Sequence, residues 1–189
     1  MDIEHMHQRV KEQLAADRYE HTMRVTETAI ELAKRFNVNV EEVKVAALLH
    51  DYAKNIDEQE LKKYIIKFNL PEELLAYHAE LWHGPVASKL VEEQFNINNE
   101  AILRAIYYHT TGRAQMGPVE LVVFLADYIE PGRNFPAVHG VREEAKQDLS
   151  LAVRSALKHT IIFLLTKDAT IHPDTFLAYN YLTKITGVK

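Results

Sequence analysis

VKVAALLHDYAKNI, residues 43–56, sets a fully apolar run, Val45 to Leu49, directly before two ionisable residues, His50 and Asp51. Such a run belongs in a protein core, so the pair enters at the core's edge. A buried, unpaired carboxylate is costly and is normally hydrogen-bonded, ion-paired or bound to a metal. Taken alone, the dipeptide also reads as an Asp capping the next segment beside a hydrogen-bonded histidine.

Outward from this stretch, apolar residues recur at helical spacing, broken by short Pro, Gly or Asn interruptions, and no strict alternation is long enough for a strand. The reading is an all-α chain with helices at about 2–16, 18–36, 40–53, 57–68, 71–79, 85–95, 99–109, 118–129, 141–167 and 174–186. Asp57 and Glu60 have capping-box spacing. Pro71, Pro85, Pro118 and Pro173 suit first turns, and Gly112 and Gly132 suit chain reversals. With 47% hydrophobic and 26% charged residues but only six Gly and six Pro among 189, the composition is globular and poor in turns, which favours helices. No internal repeat or flexible linker divides it, so one domain spanning 1–189 is expected.

The chain has no cysteine, which excludes disulfides, iron–sulfur clusters and thiolate zinc sites; any metal must be held by His, Asp and Glu. The N-terminus MDIEHMHQRV is charged, and no stretch approaches the roughly 18 apolar residues of a membrane span. A cytoplasmic protein without membrane partners is expected. With 22 basic against 27 acidic residues and a net charge of −5, a broad nucleic-acid surface is not expected. A homodimer is compatible with the sequence, although no exposed apolar stripe singles itself out.

Ten histidines are present, and their positions decide their meaning. His21 is in register with Val25, Ala29, Leu32 and Phe36, so it points into a core stripe. His109 repeats the pattern behind Ile102, Ala105 and Ile106. Asp127 closes the apolar run LVVFLAD as Asp51 closes its own. Each of these could be a satisfied core residue; together they load one core with three histidines and two aspartates, and a shared metal centre removes the desolvation cost for all of them. His83, just before Gly84 and Pro85, can reach such a site from a loop or lie on the surface. His78 is the weaker candidate, and His5, His7, His139 and His159 look like solvated helix residues.

The order His21, His50-Asp51, Asp127 resembles the H…HD…D signature of the HD-domain metallophosphohydrolases. With His83 and His109, the strings RYEHTMRV, ALLHDYAK, WHGPVAS, YHTTGR and LADYIEPGR are similar to the YqeK-type branch, the bacterial symmetrical bis(5'-nucleosyl)-tetraphosphatases. Five separated motifs in order, over roughly residues 18–180, make the likeness specific. It implies a single-domain HD-type helical bundle with a core of about 18–130, and a hydrolase splitting diadenosine tetraphosphate into two ADP by attack of a metal-bridging hydroxide. It also implies two metal ions, with His21, His50, Asp51 and Asp127 on one, and His83 and His109 on the other, bridged by Asp51. This donor set suits iron, manganese, cobalt or zinc better than magnesium, and the resemblance implies iron.

His50, Asp51 and Lys54 are the expected catalytic residues. A polyanionic nucleotide on an acidic protein needs local cations, and Arg18, Arg24, Lys54 and Arg133 lie within a turn or so of the expected ligands. Thr110 follows His109 and offers a hydroxyl to a phosphate. Arg113 has no comparable argument. The turn-rich TIHPDT segment, with Thr170, Ile171, His172 and Thr175, reads either as a helix connection or as a loop closing over base and ribose. Two rival functions use the same residues: a nucleotidase or triphosphohydrolase acting on mononucleotides, and a catalytically silent nucleotide-binding module.

Overall fold

The computed structural model describes residues 2–187; residues 1, 188 and 189 of the expected 1–189 unit lie outside them. In chain order the helices are α1 Ile3–Gln13, α2 Ala16–Arg35, α3 Val40–Leu49, α4 Glu58–Lys67, α5 His83–Phe95, α6 Glu100–Tyr108, α7 Pro118–Ile129, α8 Pro136–Glu144, α9 Leu149–Thr166 and α10 Pro173–Ile185. No strand occurs among the described residues, as the all-α reading requires.

Local chemistry starts most of these helices. Asp2, Asn39, Asp57, Asn99 and Asp148 each accept a first-turn backbone N–H at α1, α3, α4, α6 and α9, satisfying donors that a helix start leaves without partners. Pro118 and Pro173 open α7 and α10, where a missing N–H costs nothing. Gly112 holds φ +65, the left-handed conformation that glycine adopts freely.

α2 lays a buried stripe, His21, Thr22, Val25, Thr26, Ala29, Leu32 and Ala33, against α3 and α7, while α6 packs on α3, α5 and α7. The ends of these helices meet at one point inside the bundle, and the continuous core runs from Met6 to Leu182.

Several expected elements need correction. The helix expected over 40–53 stops at Leu49; Tyr52, Lys54 and Ile56 then bond back three residues, to Leu49, Asp51 and Ala53, so the His50-Asp51 pair sits in tight turns. The expected 71–79 helix is two short 3-10 segments, Glu72–Ala76 and Ala79–Leu81. The expected 141–167 helix is two. Asp148 accepts the N–H of Leu151, starting α9 afresh, and α8 begins earlier, with Pro136 in its first turn; the good helix formers of 141–147 hid the break from the sequence.

α9, Leu149–Thr166, which the sequence reading did not single out, is by length and composition alone long and apolar enough to cross a membrane, a test that core helices of globular proteins also pass. Its first half is seated in the core, but Ile162, Phe163 and Leu165, with Phe176, Leu177 and Ile185 of α10, stand exposed. α9 carries Arg154 and Lys158 one turn apart, but its second half, Ile161 to Leu165, is an unbroken apolar run that gives the sequence no period from which to choose an exposed face, so this strip was not legible.

Candidate metal centre

His50 follows the last residue of α3, and its ring nitrogen Nδ1 lies 2.6 Å from the carbonyl of Ala47. His109, at the C-terminus of α6, repeats this with Ile106 at 2.8 Å. Only a protonated nitrogen can face a carbonyl oxygen, so Nδ1 donates in both and Nε2 carries the lone pair. His21 reaches the same state differently: its Nδ1 donates to Glu130 Oε1 at 3.1 Å. The Nε2 lone pairs of His21, His50 and His109 all point inward.

Between them lies Asp51, 2% exposed. Its two oxygens face different partners. Oδ2 is 3.3 Å from His50 Nε2, 3.8 Å from His21 Nε2 and 3.1 Å from Arg18 Nη1, whereas Oδ1 is 3.1 Å from His83 Nε2 and 3.7 Å from His109 Nε2. Asp127 closes the first side, with Oδ1 3.0 Å from His21 Nε2. The structure thus brings together all six expected ligands, from five places in the fold.

Gly84 permits the second side. A Cβ there would lie 2.9 Å from the Tyr107 carbonyl oxygen and 3.2 Å from that of Ile106, so glycine lets the start of α5 press against the end of α6. This sets His83 Nε2 3.0 Å from His109 Nε2. His83, expected in a loop, is the first residue of α5.

The electrostatics call for a cation. Burial opposes ionisation of Asp51, but His50 and the surrounding imidazoles outweigh it and hold the carboxyl well below the usual range. Asp127 is likewise held low, against its burial, by His21 and Arg133. Burial works to discharge His50, yet Asp51 beside it pulls its pKa up. His83 is pushed down to about 4 by burial, with His109 adding to the effect, and is a neutral imidazole. His21 Nε2 and His50 Nε2 are buried without a hydrogen-bond partner; His21 Nε2 is close to Asp127, but the two are not aligned as donor and acceptor. Orphaned lone pairs converging on two carboxylates repel one another unless a cation lies among them. Two sets, His21–His50–Asp127 and His50–Asp51–His109, bring ligand atoms close enough to hold one.

The expected nucleotide contacts divide. Arg133 Nη2 donates to Asp127 Oδ1 at 2.6 Å and borders the site's mouth, as does Thr110, whose buried hydroxyl has no partner. Arg18 touches Asp51, and Lys54 is paired with Glu80. Arg24 is engaged by Glu130 Oε2 at 2.7 Å. Arg113 is bound by Glu120 at 2.6 and 2.7 Å in a structural pair. Of TIHPDT, only His172 among the four named residues lines the cavity beside Thr110, where its ring meets Tyr77. Thr175 is buried in α10, and Thr170 and Ile171 lie off that wall.

Sequence reasoning passed over Glu130. This buried carboxylate accepts from His21 Nδ1, Arg24 Nε and the Gly132 N–H, fixing the tautomer of His21 as outer-shell carboxylates do around metal sites. Its signal was Arg24, one turn from His21 and reaching the same partner. Gly132, expected at a chain reversal, also leaves room for Arg24, since a Cβ there would lie 2.7 Å from the guanidinium. His159, expected to be solvated, is half-buried on the wall of a groove.

Residues 18–132 match the HD domain family, and the chain belongs to it. Within that family it is 46% identical over 173 residues, 92% of this chain and 93% of the relative, to a Bacillus subtilis (strain 168) protein named bis(5'-nucleosyl)-tetraphosphatase, symmetrical. A Staphylococcus aureus (strain NCTC 8325 / PS 47) protein of the same name is 40% identical over 183 residues, 96% of this chain and 94% of that one. A crystal structure from Clostridium acetobutylicum, described as a predicted HD superfamily hydrolase involved in NAD metabolism, superposes with a TM-score of 0.93 at 32% identity, covering 98% of each chain.

Proposed function

We propose that this chain is a metal-dependent hydrolase that cleaves diadenosine tetraphosphate symmetrically, with 1–189 acting as one unit. The relatives of matching length support the substrate. The observation that carries the reading is the division of Asp51: one oxygen faces His21 and His50, the other His83 and His109. A carboxylate so placed fits a bridge between two cations, with His21, His50, Asp51 and Asp127 holding one and His83, His109 and Asp51 the other. Imidazole-rich donors suit iron, and manganese, cobalt or zinc next.

Bound there, the ions supply Lewis acidity and a water acidic enough to attack near neutral pH. The chain's own groups do the rest. Arg18 and Lys54 lie beside Asp51 and His83, Arg133 stands at Asp127, and the Thr110 hydroxyl is free to meet a phosphate oxygen. These fixed donors neutralise and align a polyphosphate, the main task in phosphoryl transfer. One water adds to a central phosphorus, the bond from it to the bridging oxygen breaks, and the leaving ADP takes the proton.

Purified protein should contain a transition metal by elemental analysis and convert diadenosine tetraphosphate to ADP as the sole nucleotide product. AMP plus ATP as products would overturn symmetrical cleavage. Turnover of mononucleotides with no action on the dinucleotide would establish the mononucleotide hydrolase instead, and binding without turnover under iron, manganese or cobalt would establish a silent module.

A further inference from the structure

A cavity at the metal centre shares wall residues with two others that flank it. The middle one, about 270 Å³, is its mouth and includes His109, Thr110, Asp127 and Arg133. On one side, sharing Thr110, is a cavity of about 290 Å³ with Tyr77, Tyr107, Tyr108 and His172 on its wall. On the other side is a larger groove of about 620 Å³ walled by Tyr128, Phe135, His159, Thr160, Ile162 and Phe163. It shares Tyr128, Arg133, Phe135 and Thr160 with the mouth.

This groove has the size of a small-molecule pocket and a wall that the fold leaves without a partner. Phe163 is 58% exposed and Ile162 46%, although both project from a helix whose first half is core. Tyr128 and Phe135 meet edge to face with ring centroids 5.1 Å apart, forming a rigid corner next to Arg133. Flat apolar surface beside a cation, with His159 and Thr160 as the polar members, is what a nucleoside attached to a phosphate chain requires.

We propose that this groove, formed by the end of α7, the start of α8 and the second half of α9, binds the second nucleoside of the dinucleotide, the one that leaves on the far ADP. The inference rests on the tetraphosphatase reading and adds to it. A cut at the central anhydride needs equal arms on either side of the metals, and only a chain with an aromatic pocket at each end can hold both. Symmetry of the products then follows from two flanking nucleoside sites, rather than from the metals alone.

The test uses full-length, metal-loaded protein and two substrates with the same phosphate chain: diadenosine tetraphosphate, and adenosine 5'-tetraphosphate, which has one nucleoside. Wild type should favour the dinucleotide in kcat/KM. Phe163→Ala, at an exposed position, removes a stacking face, and Ala137→Trp, on the groove's rim, fills the space. Each should lower kcat/KM on the dinucleotide by roughly five-fold or more, leave adenosine tetraphosphate turnover within about two-fold, and so bring the two substrates together.

Equal losses on both substrates, or no loss on either, would overturn the assignment. So would variants that alter the oligomeric state without moving the substrate ratio, because the strip would then be covered by a second copy. If wild type made AMP and ATP from the dinucleotide, the symmetrical-cleavage reading would fail; a substrate ratio still sensitive to Phe163→Ala would leave the groove a nucleoside site.

Discussion

Glu130→Gln isolates the device that orients His21. In the native protein Oε2 receives two donors, Arg24 Nε at 2.7 Å and Gly132 N–H at 2.6 Å, whereas Oε1 receives only His21 Nδ1, at 3.1 Å. A glutamine has one carbonyl oxygen and must place it against the pair, which turns its NH₂ toward His21. Nδ1 then has to accept, the imidazole proton moves to Nε2, and the lone pair aimed at Asp127 is lost. Removing an outer-shell partner of this kind typically weakens metal affinity or activity by roughly 10–100-fold, or about 1.4–2.8 kcal/mol. The shape of the side chain is preserved, so the metal-free protein should lose only about 1–3 kcal/mol from weakened charge-assisted bonds. Chelator competition on purified wild type and variant would measure the metal dissociation constant, and circular dichroism would confirm the fold. A variant that is folded and binds metal as tightly as wild type would refute the tautomer argument.

Asp51→Ala removes the residue that both sides share, so turnover should vanish and metal content should fall; retained activity at full metal loading would remove Asp51 from the centre. Gly84→Ala forces a Cβ to 2.9 Å from the Tyr107 carbonyl oxygen, an overpacking that should cost about 1–3 kcal/mol and lower Tm by several degrees in thermal denaturation, with activity falling as the start of α5 and His109 separate. The metal-free protein should lose stability as pH falls from 6.5 toward about 4: His83 has its folded pKa pushed down from 6.5 to about 4, so across that window the unfolded chain binds the extra proton. Denaturant melts of chelated protein at steps through this range would show it, and a flat or opposite trend would contradict the burial of a neutral imidazole.

How much of this was legible follows from what period and spacing can carry. His21 and His109 were readable as inward-facing because each sits in register with apolar residues of its own helix. Asp51 was readable as buried, but not as two-faced, since that depends on the tight turns that replace the last turn of the expected helix after Leu49. Glu130 lies one residue beyond α7, where helical register no longer predicts direction, and its side-chain partners are 106 and 109 residues away in sequence. The Glu130 partner of Arg24 stayed hidden for the same reason: spacing put Arg24 near His21 but could not reveal the carboxylate that also engages it. The break between α8 and α9 was hidden by residues that favour helix on both sides. The groove depends on that break, because the reversal between α8 and α9 brings Phe135, before α8, and Phe163, near the end of α9, to the wall of one groove.

The six donors span residues 21 to 127 and come from α2, the turn after α3, the start of α5, the end of α6 and α7. In a chain without cysteine, the loaded centre would be the one cross-link tying distant segments, closing loops that a disulfide would otherwise close. α9 and α10 supply no donor. Withdrawing the metals should therefore loosen the molecule unevenly: backbone amides around His21, His50 and His109 would exchange with solvent sooner, while those of the α9–α10 pair would keep their protection. The centre would then act as a clasp for half of the bundle as well as a reaction site, and metal supply would govern the enzyme's lifetime along with its rate.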